Sequence, residues 1–334
     1  MILNIKPIHD DSCDCTEDLI ISIAHWLNMD YEIIFADSWG FEFKPAENSQ
    51  KVIGEMIKPG KNLWGLTEDS LGIKLINVKV NDFNDLLHEL NIELSNGRPV
   101  IITIDSYWNP SDFNYQKNHF YYHTILAIGY DSINDNIIYI DPFTAPDSIL
   151  NLPINNLKEG LGPSLKKLKF VNKTIKKFDW SGILNDLILK LEGRKSCETP
   201  FNVSMKSFAD YIKKYFDFSI ESAGYNHPPH WPICMAIERI YKGRKQFLIF
   251  LKYCFEKYNL PGFIHLFEGL EKVSLEWSMI RMLLIKGTMV ENANALIKRI
   301  ATKVNELAIF EEDLYFDLKK LLEIHNNGGQ NEWR

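Results

Sequence analysis

The chain has 334 residues, 46% hydrophobic and 24% charged, with 18 Gly and 14 Pro, a composition that excludes collagen, coiled-coil and disordered classes. Lys and Arg total 37 against 44 Asp and Glu, a net charge of -7, which argues against a phosphate-tracking nucleic-acid binder. The opening MILNIKPIHD lacks a signal-peptide core, and no apolar run nears the roughly 18 residues of a membrane span. A cytoplasmic location, with neither membrane nor nucleic acid as partner, is expected, and 5 cysteines fit unpaired thiols in a reducing compartment.

Charge and periodicity divide the chain. Residues 1–170 hold 13 Lys/Arg against 24 Asp/Glu, whereas residues 171–334 hold 24 against 20. A helical stretch from Asp14 to Asn28 comes first. Ile73 to Val80 then reads as a strand, and Asn81 or Asp82 caps a helix that runs to Leu94 and stops at Asn96-Gly97. Pro99 to Asp105, Thr124 to Tyr130 and Ile137 to Asp141 are strands, the last two joined by a turn over Asp131 to Asn136. Leu165 to Phe178 is lysine-rich with room for a further strand, Trp180 to Leu191 suits a short helix, and Cys197 to Phe201 reads as connection. Beyond it, Met205 to Phe216, Ile233 to Tyr258, Phe263 to Lys286 and Val290 to Ile324 carry helical periodicity. The expectation is an α+β catalytic domain over 1–175, a connection over 176–200 and an α-helical domain over 201–334.

The most informative stretch is Asp11-Ser12-Cys13-Asp14-Cys15-Thr16-Glu17. Asp14 and Glu17 have the spacing of a capping box, which sets Cys15 in the first helical turn. Unpaired N–H groups and the helix dipole there favour thiolate, the form that attacks carbonyl carbon. Nearby Asp14, Glu17 and Asp18 oppose it, so a cationic partner is needed. His123 opens one strand and Asp141 closes the next. Two antiparallel strands bring them side by side, with Asp141 orienting the imidazole and His123 taking the thiol proton.

Other residues compete for attention. Cys13 is the rival nucleophile, but it precedes the cap. His9, Cys13 and Cys15, or His227, His230 and Cys234, contain metal-ligand types without a paired Cys-x-x-Cys spacing, and no metal is expected. Arg239, Lys242, Arg244 and Lys245 form a basic cluster that suits docking of an acidic carrier protein, or is simply a solvated helix face. Asp105, Asp112 and Tyr115 suit a cationic amine, or belong to an ordinary acidic loop.

Cysteine on an early helix, His-x-x-x-x-x-Gly-Tyr-Asp and a strand ending Asp-Pro resemble the papain-like peptidases that trim double-glycine leaders. The chain is more similar to the family of butirosin biosynthesis protein H over roughly residues 8–147. Asp14-Cys15, Trp39-Gly40-Phe41-Glu42-Phe43, Gly97-Arg98-Pro99-Val100, Asp105-Ser106-Tyr107, Tyr115 and His123 through Asp131 carry the likeness, and Arg239-Ile240-Tyr241 and Glu276-Trp277 resemble that family's second domain. The resemblance implies a papain-like fold and an acyltransferase. Cys15 is its nucleophile, His123 its base and Asp141 the orienter. The acyl group comes from an acyl or peptidyl carrier protein, on a phosphopantetheine arm, and goes to a small amine in antibiotic assembly. No cofactor is bound by the enzyme itself. Asp14 stands where many relatives have histidine, and Thr16 and His9 stand where the leader peptidases have glycine and glutamine. His9 and Asp14 are thus candidates for oxyanion or nearby support, beside backbone N–H groups at the helix start, each worth roughly 3 kcal/mol. A peptidase, amidase or thioesterase would use the same triad with water, and a non-catalytic binding module would keep the fold without the chemistry.

Overall fold

A computed structural model describes the chain except for residues 1, 47–51, 61–62, 171–178, 196–198, 226, 259–263, 288, 290–292 and 329–334. In chain order come α1 (Cys15–Trp26), the two-residue strands β1 (Glu42–Phe43) and β2 (Ile57–Lys58), α2 (Leu63–Leu71), β3 (Ile73–Lys79), α3 (Phe83–Ser95) and β4 (Val100–Ile104). Next are β5 (His123–Asp131), β6 (Asn136–Ile140), β7 (Ile149–Pro153), α4 (Ile154–Glu159) and β8 (Leu161–Phe170). Helices close the order: α5 (Trp180–Leu191), α6 (Phe201–Tyr215), α7 (Phe218–Ser222), α8 (Pro232–Tyr258), α9 (Ile264–Gly287) and α10 (Ala293–Gly328). The protein is α+β, with an antiparallel sheet followed by helices. Among the described residues no helix is long and apolar enough to cross a membrane.

Two compact units form, one from residues 1–31 and 64–175, the other from 32–63 and 176–334. In the first, six antiparallel strands lie in the order β3-β8-β4-β5-β6-β7. The strand pattern holds because β-branched residues fill β4 and apolar residues run through the middle of β5, and the β5–β6 turn is built by Asp131, whose carboxylate accepts the N–H groups of Ile133 and Asn134 at 3.0 and 3.3 Å. One sheet face buries Val100, Ile102, Ile125, Ala127 and Leu165 against Leu86 and Leu90 of α3. On the opposite face lies α1, whose Thr16 hydroxyl meets that of Thr124 on β5 at 3.1 Å. Sequence reading missed β7 and α4 and placed β8 too late. Its proposed extension to Phe178 lies outside the described residues.

The second unit differs from the expected domains in two respects. Residues 32–63, early in the sequence, belong to it, and α5 in the expected connection 176–200 is one of its helices. Trp39, fully buried, packs on Phe247 with ring centroids 5.3 Å apart, and Phe41 stacks on Trp277 at 5.7 Å. Gly243 of α8 permits this approach, since a Cβ there would lie 2.6 Å from the Ser38 carbonyl oxygen. Glu311 of α10 ties the segment down, accepting from the Trp39 indole at 2.7 Å, the Trp277 indole at 2.8 Å and Arg244 at 2.8 Å. Phe201, expected to end the connection, instead starts α6 behind Pro200. Cys197, Phe263 and Val290 lie outside the described residues.

Candidate active site

Cys15 is the first residue of α1, and Asp14 is the N-cap. The Asp14 carboxylate accepts the Glu17 N–H at 2.9 Å while Glu17 accepts the Asp14 N–H at 3.0 Å. That reciprocal box fixes the helix start and satisfies two of its donors. The N–H groups of Cys15 and Thr16 have no hydrogen-bond partner among the described residues and stand at the positive end of the helix.

The partners come from the sheet. His123 opens β5 opposite Ile104 of β4 and is only 3% exposed. Asp141 follows β6 directly and is fully buried. The His123 Nε2–H donates to Asp141 Oδ2 at 2.6 Å, and the Thr144 hydroxyl donates to the same oxygen at 2.6 Å. Since Nε2 is engaged, Nδ1 is the ring nitrogen left for the Cys15 thiol, to which the imidazole is hydrogen-bonded. Thr124 donates its hydroxyl to Cys15 Sγ at 3.3 Å, so the Thr16 hydroxyl, 3.1 Å away, donates to Thr124 in turn.

These contacts set the charges. Burial works against ionisation of Cys15, and Asp14 opposes it too, but the hydrogen bond and charge of His123 together with the Thr124 hydroxyl take the thiol below its ordinary pKa. Burial likewise opposes protonation of His123, yet Asp141 and Cys15 raise the imidazole to about 10. The arrangement favours a thiolate–imidazolium pair, titrating as a coupled unit. Such a pair can form and release an acyl-sulfur bond.

The other candidates fall elsewhere. Cys13 is fully buried before the helix cap. His9 points its Nδ1 at Asp18 Oδ2, 2.7 Å away, and its Nε2 at Asp11, 3.3 Å away. Burial lowers the His9 pKa, but Asp18 and Asp11 raise it overall. The ring is thus committed to those carboxylates, and Asp14 is committed to the cap.

Asp105, offered as a substrate ligand, is corrected by its contacts. Only 6% exposed, it accepts from the N–H groups of Tyr107 and Phe120 at 3.2 and 2.9 Å and pairs with His119 at 2.6 Å. Its carboxylate shapes its own loop, as does that of Asp112, which accepts from the Ser106 hydroxyl at 2.7 Å. Tyr115, half-buried, accepts at its hydroxyl from the Gln116 side chain at 3.2 Å. The proposed docking cluster is corrected at Arg244. Fully buried, it donates to the Gly40 carbonyl at 2.8 Å and to Glu311, and cannot meet a carrier protein. Arg239 and Lys245 are exposed, and Lys242 pairs with Glu238 at 3.1 Å. Among the described residues no three His, Cys, Asp or Glu side chains converge as metal ligands.

Sequence reading missed Thr124, because a threonine in a strand is unremarkable until its register with α1 is known. It also missed Lys166 on β8, whose partly buried ammonium is within electrostatic reach of Cys15 and Asp14.

Residues 20–142 match the model of a protein family described as butirosin biosynthesis protein H, N-terminal. The match contains His123 and Asp141 and starts just after Cys15. Among curated proteins nothing matches the chain.

Proposed function

Through residues 20–142 the chain belongs to the butirosin biosynthesis protein H-like family, and from that premise we propose that it is a cysteine-dependent acyltransferase of antibiotic biosynthesis. The observation that carries this reading is the Cys15 thiol held between the His123 imidazole and the Thr124 hydroxyl, with Asp141 2.6 Å behind the imidazole. A helix-borne cysteine facing a strand-borne histidine and aspartate is the arrangement of papain-like enzymes, and we read the first unit as that type.

In the proposed cycle the Cys15 thiolate attacks the carbonyl carbon of an acyl thioester on the phosphopantetheine arm of a carrier protein. The oxyanion forms beside the free N–H groups of Cys15 and Thr16. As the C–S bond to the carrier breaks, the imidazolium of His123 gives its proton to the departing thiolate, leaving acyl-Cys15 and a neutral imidazole. An amine then attacks the acyl carbon and passes a proton to His123. The amide leaves, and thiolate and imidazolium are restored. One thioester replaces another in the first half, so that step is nearly balanced, and aminolysis makes the second half downhill. No metal or redox group is required by this balance, and a reducing cytoplasm suits a free thiolate.

Intact-mass spectrometry with an acyl-pantetheine thioester tests it. The wild type is expected to gain the acyl mass, Cys15→Ala to gain none, and an added amine to discharge the adduct as amide. Equal labelling of both proteins removes the assignment. Release of free acid at the same rate with and without amine makes the protein a thioesterase or amidase instead.

A further inference from the structure

The antiparallel register decides which lysine of the Lys166-Lys167 pair faces the reaction centre. Lys166 lies opposite Ile101 of β4, Ile101 opposite Leu126 of β5, and Thr103 opposite Thr124. Cross-strand partners share a face and alternate residues return to it. Lys166, Ile101, Thr103, Leu126 and Thr124 therefore occupy one face, that on which the Thr124 hydroxyl meets Cys15. Leu165 and Ile102 occupy the other, in the core beneath α3. Lys167 follows them there and pairs with Glu89 and Glu93 of α3.

Lys166 has no such partner. Among the described residues it makes no ion pair, although its side chain is only partly exposed. An ammonium held half out of water without a carboxylate costs free energy unless negative charge lies near it. Burial lowers its pKa overall, and the charge near it that works against that fall is that of Cys15 and Asp14. The groups acting on the thiol are His123 and the Thr124 hydroxyl from β5 and Asp14 at the cap of α1, with Asp141 behind the imidazole, while Lys166 of β8 senses the charge of Cys15 and Asp14. With thiolate and imidazolium formed, the two carboxylates leave this cluster negative.

We infer that Lys166 is a positioning cation for the nucleophile: its ammonium, on the Cys15 face of the sheet, offsets Asp14 and holds Cys15 as thiolate alongside His123. The inference rests on the reading of Cys15 as nucleophile. It assigns the sheet a direct electrostatic part in activating a thiol that belongs to a helix.

Alkylation of the full chain, followed by mass spectrometry at the Cys15 peptide over about pH 5 to 10, provides the test. In Lys166→Met and Lys166→Gln the midpoint for iodoacetamide is expected to rise by about half a pH unit. The ratio of iodoacetate to iodoacetamide rates is expected to fall about threefold, because the anionic reagent alone senses the lost charge. Lys166→Arg should restore both. Two folded neutral variants with wild-type midpoint and ratio overturn the inference and leave the nucleophile standing. A wild-type midpoint that His123→Ala does not move overturns the thiol–imidazole pair, and this inference with it. Should one neutral variant fail to fold, the other and the arginine variant still read the charge.

Discussion

Thr124 gives its hydroxyl proton to the Cys15 sulfur at 3.3 Å from the strand residue next to His123, so one two-residue step along β5 supplies both groups that bond the thiol. Successive strand residues point to opposite faces, yet His123, at the first position of β5, and Thr124 both act on one sulfur. Thr124→Val keeps the shape and removes the donor. A neutral hydrogen bond is worth about 1 kcal/mol, so capture of Cys15 by iodoacetamide at neutral pH should slow about fivefold with the fold intact. An unchanged rate means the hydroxyl serves Thr16 alone.

Among the described cysteines, reactivity should belong to Cys15. Burial pushes Cys234 and Cys254 up to about 12, and Cys13 is fully buried, while Cys15 is lowered. Peptide mapping after brief iodoacetamide treatment near pH 7 is expected to find Cys15 modified at least ~10-fold ahead of these three. Preferential labelling of Cys13 would transfer the nucleophile's role to it.

The pH profile follows from the same pair. The thiolate–imidazolium form exists above the lowered thiol pKa and below the raised imidazole pKa, about 10, so acyl transfer should show a plateau bounded by these limits. Burial lowers the imidazole and the Asp141 bond raises it, so Asp141→Asn should bring the alkaline limb down toward neutrality. A profile whose alkaline limb stays in place shows that Asp141 fixes the ring by geometry alone.

Local signals made much of this legible. The Asp14–Glu17 spacing announced a helix start and Cys15's place in it, and β-branched, apolar runs announced the strand that His123 opens and the one that leads into Asp141. Thr124 and Lys166 were hidden because their facing depends on register between strands distant in sequence. Arg244 misled for a geometric reason: it stands two residues beyond Lys242, about 200° round the helix, so neighbours in a basic cluster occupy opposite sides of α8. Residues 32–63 carry no local sign that they pack among helices formed more than a hundred residues later, because that choice is made by Trp39 and Phe41 finding Phe247 and Trp277.

Glu221 of α7 makes the stability of the second unit depend on pH. Only 1% exposed, it accepts the Ile53 N–H, and its neighbours include the N–H groups of Gly54 and Ile233. Burial nonetheless raises its pKa to about 7 from an ordinary 4.5. A carboxyl raised on folding is bound by its proton more tightly in the native state, so its contribution is complete below the unfolded pKa and is lost as pH climbs through the folded one. Over that window the loss amounts to about 3 kcal/mol. Glu221→Gln stays neutral throughout and keeps a carbonyl to accept the Ile53 N–H. Urea unfolding at about pH 5 and pH 8 should therefore find the two proteins closer in stability at the acid value and the variant gaining on the wild type at the alkaline one. A difference between wild type and variant that is equal at both pH values would show that the carboxyl ionises as readily in the fold as out of it.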